Sequence, residues 1–129
     1  MQTILLAAGV LAIAIGLVHS VFGEALIFRH ARKGALVPAM AAPPLRARHI
    51  GILWATWHLA TVFGWAFAGV MLRLALDPDG APGAVILSAA VFANLAGALL
   101  VLVGTKGRHP GWIALSAVAA LIWFGVSAV

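Results

Sequence analysis

Three polar side chains stand inside the first apolar run of this chain: His19, Ser20 and Glu24, within GLVHSVFGEALIFR from Gly16 to Arg29. A second run adds His58 and Thr61, and a third adds Asn94. A charge at bilayer depth costs roughly 2.5 kcal/mol or more, so such groups face a protein interior and mark a polar lock or a working site. His19 and Glu24 titrate, and together they could carry protons or couple proton movement to a small solute. His19 and His58, on separate helices, could serve as the axial ligands of a b-type haem. A metal ion could draw a third ligand from Glu24 or His49. The plainer roles are interhelical hydrogen bonds that fix register for His19, His58 and Asn94, and an ion pair with Arg29, Arg46 or Arg48 for Glu24.

Enzyme chemistry finds little to work with. No HExxH, G-x-S-x-G elbow, phosphate loop or paired carboxylate is present, and Ser20 next to His19 does not put a nucleophile and base on one helical face. Cysteine is absent, which excludes disulfides, thiolate metal sites and cysteine nucleophiles.

The elements that must carry these residues are apolar. The 129 residues are 64% hydrophobic and 9% charged, with a mean hydropathy of +1.13, far from the roughly 25% charged residues of a soluble domain. The expected fold is all-α: one domain, residues 1–129, forming an antiparallel four-helix bundle in a membrane. Its spans fall at about 3–28, 50–72, 84–103 and 112–127, each near the ~20 residues that cross a bilayer. The first lacks a preceding Lys or Arg and a following A-x-A pattern, so it reads as a retained helix and not a cleaved signal.

Charge orients the spans. Arg29, Arg32, Lys33, Arg46 and Arg48 occupy the first loop, Lys106 and Arg108 the third, and only Arg73 lies by the second. The positive-inside rule places the two basic loops in the cytoplasm and both termini outside. The five basic residues of the first loop are expected to contact anionic lipid. Without interleaved aromatic residues they do not suggest nucleic acid. His30, His49 and His109 adjoin basic loop residues and are expected to be exposed.

Gly9, Gly16 and Gly23 recur every seven residues, a seam that lets a neighbouring backbone come close. At ~1.5 Å per residue from the cytoplasmic helix ends, His19, His58 and Asn94 each lie about 15 Å deep. This places them in one layer, with Thr61 a turn deeper and Ser20 and Glu24 nearer the basic side. Ser20 and Glu24 share a face, whereas His19 and Glu24 stand about 140° apart on a regular helix. Trp54, Trp57 and Trp65 are expected to fill the bundle. Four short spans bury little surface, so a homo-oligomer or a larger membrane complex is an expected setting.

The runs His19-Ser20-x-x-Gly23-Glu24 and Trp57-His58 resemble those of a group of small bacterial membrane proteins with H-S-x-x-G-E in the first span and W-H in the second. The resemblance covers the first two spans. It implies a four-span protein of the bacterial cytoplasmic membrane and brings no activity with it. The single Glu of span one also resembles that of the small multidrug exporters, but their near-neutral charge pattern is missing here.

Overall fold

A backbone dressed in side chains this apolar can satisfy its own N–H and C=O groups away from water within helices or in a closed barrel, and long continuous apolar runs suit the helix. The computed structural model is accordingly all-helical and describes residues 1–127; residues 128 and 129 of the single-domain expectation lie outside it. Helix α1 covers Gln2–Phe22 and continues directly into a π turn, Gly23–Ile27, and a 3-10 turn, Phe28–Ala31. Helix α2 covers Ala47–Leu76, α3 Pro82–Thr105 and α4 Gly111–Ser127. Among the described residues the only extended pairing is an isolated bridge between Ala42 and Leu45.

Three helical stretches are long and apolar enough to cross a membrane: Gln2–Ala31, Ala47–Leu76 and Pro82–Thr105. The fourth, with 17 residues, reaches about 26 Å at 1.5 Å per residue, a little short of the ~30 Å hydrocarbon layer. Helix α2 outruns the expected 50–72 at both ends. Hydropathy marks where side chains turn polar, but the hydrogen-bond ladder continues through Arg48 and Arg73 until the Asp77-Pro78-Asp79-Gly80 turn stops it. Pro82 then starts α3, where a missing N–H is harmless. Lys106 and Gly107 close α3 in left-handed conformation, φ 52° and 73°, and the Gly107 N–H returns to Leu102 O at 2.8 Å.

The glycine seam sets the packing of α1. A Cβ on Gly9 would lie 2.7 Å from Leu72, one on Gly16 2.5 Å from Trp65 Nε1, and one on Gly23 2.1 Å from Trp57 Nε1. As α1 positions rise the α2 partners fall, so the two helices run antiparallel. Helices α2 and α3 cross backbone to backbone where Gly51 meets Gly104, and α3 receives Leu59 and Leu115 at Gly97. Each helix packs on its chain neighbour, α1 on α2, α2 on α3 and α3 on α4, while α1 and α4 share no comparable interface. The first loop folds back on the helices. Ala39 and Met40 both donate to Ala31 O at 3.0 Å, and Val37 is buried in a cluster with Phe28, Trp54, Ala55 and Val101.

Candidate functional site

The heptad glycines do more than admit a neighbour. With no side chain in the way, the indole of Trp65 donates to Ile13 O at 3.1 Å and that of Trp57 to His19 O at 3.0 Å. Between them the buried Thr61 hydroxyl lies 3.3 Å from Gly16 O. Trp57, Thr61 and Trp65 follow one another at four-residue steps on α2, so a single face of that helix is clamped to the α1 backbone. His58 and Trp54 stand beside this face, again four apart.

Glu24 sits in the π turn, whose wider winding places the carboxyl against α2. Its Oε1 accepts from Trp54 Nε1 and lies 2.9 Å from His58 Nε2, while Oε2 accepts from Arg32. On the other side of the imidazole, Nδ1 lies 2.9 Å from Ser20 Oγ, and Ser20 Oγ lies 2.8 Å from Thr61 Oγ1. An unbroken hydrogen-bonded chain therefore runs from Arg32 through Glu24, His58, Ser20 and Thr61 to Gly16 O. The His58 ring is further held by Trp54, edge-on at 5.0 Å between centroids.

Donor counting limits what this chain can do. Arg32 and Trp54 both aim donors at Glu24, the surroundings of a carboxylate. His58 Nε2 then carries a hydrogen to bond Oε1. With Nδ1 bare, Ser20 donates to it and Thr61 donates to Ser20. With Nδ1 protonated, the imidazolium donates to Ser20, Ser20 to Thr61, and Thr61 to Gly16 O. One proton gained or lost at His58 thus reverses two hydroxyls.

His19 and Asn94 lie apart from this chain. The His19 ring stacks on Trp57 with centroids 4.4 Å apart and planes 6° from parallel, and its buried Nε2 has no hydrogen-bond partner among the described residues. Asn94 is not brought to the cluster: its amide donates to Ala90 O of its own helix at 2.9 Å. The expected three-helix layer of His19, His58 and Asn94 is replaced by a site built from the first 61 residues alone. Asn94→Ala should therefore shift unfolding stability by under about 0.6 kcal/mol, the mean worth of a membrane hydrogen bond. A loss several times larger in a detergent unfolding titration would return Asn94 to the site.

Neither expected cofactor arrangement finds support in the geometry. Both ring nitrogens of His58 are engaged, and Trp57 already covers a face of His19, so a bis-histidine haem would have to break one contact set and displace the other. Among the described residues no three His, Asp or Glu side chains gather at metal-binding range. The sequence reading also missed two members. Arg32, assigned to lipid, turns inward because Glu24 is the one carboxylate at its end of the helices, and Trp54, assigned to filling, is a Glu24 donor. The four-residue step from Trp54 to His58 was the available signal for the second. Arg29 and Arg48 lean on the neighbouring rings of His30 and His49, and with Lys33 and Arg46 they remain exposed.

No known protein family, curated protein or solved structure matches this chain.

Proposed function

We propose that this chain is a four-span membrane protein that handles protons, with Glu24, His58, Ser20 and Thr61 forming the inner part of their path. The supporting observation is the continuous hydrogen-bonded chain, with a titratable imidazole at its centre and a hydroxyl pair that can turn over as one. Successive polar atoms along the chain lie 2.8–2.9 Å apart, in direct hydrogen bonds, a spacing that suits a proton better than a larger solute. The antiparallel helices bring the ends of α1 and α3 together with the starts of α2 and α4, which collects seven of the eight basic residues on one side. On the positive-inside rule that side is cytoplasmic, both termini are outside, and Glu24 is the inner mouth of the relay. The H-S-x-x-G-E and W-H runs of this chain would then be one site: Ser20, Glu24 and His58 in the relay, Gly23 giving room to Trp57, and Trp57 bracing His19.

The test is proton flux into liposomes loaded with a pH-sensitive dye, under a clamped membrane potential. The wild-type chain should conduct, while His58→Phe and Ser20→Ala should fall to the leak of protein-free liposomes. His19→Phe keeps a flat ring against Trp57 and should conduct normally. Wild-type flux in His58→Phe would remove the relay from the mechanism.

A second reading, an accessory subunit of a larger membrane assembly or a homo-oligomer, is favoured by the open row of helices. Helix α1 leaves Val10, Leu17 and Val21 exposed, and α4 leaves Leu121 and Phe124 exposed. Gentle solubilisation should then recover a species larger than the monomer.

A further inference from the structure

A cleft of about 500 Å³ opens at the basic end of the helices, between the folded-back first loop and the α3–α4 turn. Its floor is the contact of Gly51 with Gly104, and its walls include Val37, Pro38 and Ile52. Arg48, Lys106 and Arg108 line it, with His49 and His109 beside them. Three basic residues from segments more than fifty residues apart in sequence thus border one space. No carboxylate lines the cleft, and among the described residues none of the three basic groups is in an ion pair. The protein's acids are elsewhere: Glu24 is held by Arg32, and Asp77 and Asp79 lie in the turn at the opposite end. His109 Nδ1 accepts the Gly111 N–H at 3.0 Å, which in the neutral ring leaves the hydrogen on Nε2 as a further donor.

A second feature sets this cleft apart from a merely solvated basic loop. Lys106 takes a left-handed backbone, φ 52°, a conformation that glycine adopts without strain and a side chain does not. A glycine directly follows it, yet the strained position carries the lysine. The left-handed turn that ends α3 thereby fixes where the lysine side chain leaves the helix.

We propose that this cleft is a discrete binding site for one phosphate group. Arg48, Lys106 and Arg108 would neutralise the phosphate, with a further donor from His109 Nε2. The apolar walls beside the charges, Val37, Pro38 and Ile52, suit a phosphate carried on an acyl glycerol. This differs from diffuse attraction of the first loop to an anionic surface, because it requires the α3–α4 turn.

The test uses the full chain in zwitterionic detergent, with thermal unfolding followed during titration by short-chain phosphatidylglycerol, phosphatidylcholine or inorganic phosphate. Phosphatidylglycerol should raise Tm saturably and phosphatidylcholine should not. If inorganic phosphate reproduces the whole shift, the site stands and its ligand is the soluble ion. Lys106→Gln with Arg108→Gln should weaken the half-saturating concentration by about tenfold or more, equivalent to 1.4 kcal/mol. Arg29→Gln with Lys33→Gln removes the same charge outside the cleft and should leave it nearly unchanged. Equal weakening by both pairs would overturn the site in favour of diffuse electrostatics, and no saturable shift with any phosphate would overturn it outright. Lys106→Gly controls for folding: it should raise Tm without ligand, by relieving the left-handed lysine, and still blunt the response to phosphatidylglycerol. A full response in that variant would show that Lys106 does not hold the phosphate.

Discussion

Gly51→Ala is expected to destabilise the fold by about 3 kcal/mol, at the upper end of what overpacking usually costs. The added Cβ would lie 2.2 Å from the carbonyl oxygen of Gly104, and that oxygen belongs to the α3 backbone, so no rotamer change can move it aside. The contact is mutual, since a Cβ on Gly104 would meet Gly51 O at 2.8 Å and Ala55 Cβ at 2.9 Å. Relief requires α2 and α3 to part along their length, and dispersion contacts weaken steeply over such a gap. Reversible unfolding in mixed micelles of increasing denaturing-detergent fraction would measure the loss. Gly64→Ala and Gly69→Ala provide the comparison. Nothing lies within 4 Å of a Cβ at either position, so alanine there should be neutral or stabilising by up to about 1 kcal/mol through helix propensity. If all three substitutions behaved alike, the close crossing at Gly51 would be refuted.

The second large effect is expected at Glu24. Glu24→Ala strips the acceptor from three donors at once, Arg32, Trp54 and His58, and leaves the guanidinium facing an apolar cluster. Breaking a fully buried pair by removing one partner costs about 3–5 kcal/mol. The Glu24 side chain is 33% exposed, so solvent reaches part of the site and about 2–3 kcal/mol is the better expectation. Glu24→Gln should lose less, because the amide oxygen still accepts from Trp54 while the charge owed to Arg32 is gone. Adding Arg32→Leu to Glu24→Gln should recover part of that loss, since an orphaned cation is worse than an apolar replacement of the pair. Failure of the double variant to improve on Glu24→Gln would mean that Arg32 is not the charge Glu24 neutralises.

The sequence carried the helical architecture plainly, because its continuous apolar runs have the length of spanning helices and not that of barrel strands. It also carried the α1 face. Glycines at seven-residue spacing are visible without coordinates, and all three meet α2. The site was half legible. Ser20, Glu24, His58 and Thr61 stood out as polar groups in apolar runs, and they do converge. Asn94 stood out equally and does not, because rise along a helix fixes depth while leaving rotation about the axis free. The π turn had no signature either. Nothing in Gly-Glu-Ala-Leu-Ile distinguishes a widened turn from a regular one, yet that turn holds the carboxyl that meets His58. Arg32 was hidden for a different reason: eight residues beyond Glu24, past the helical run, it returns to the carboxylate only because the chain folds back there.

The row of helices, each packed on the one before it, has a bearing on how the protein is made. Contacts between neighbours in sequence close small loops and assemble quickly, and synthesis delivers the elements in that same order. Every group in the hydrogen-bonded chain, from Gly16 to Thr61, belongs to the first hairpin, so the relay is complete once α2 has docked on α1. Helices α3 and α4 arrive at a finished site, and what they add is the Gly51–Gly104 crossing and the second wall of the basic cleft. A ribosome stalled after α2 would thus already present the assembled hydrogen-bonded chain without the second wall of the basic cleft.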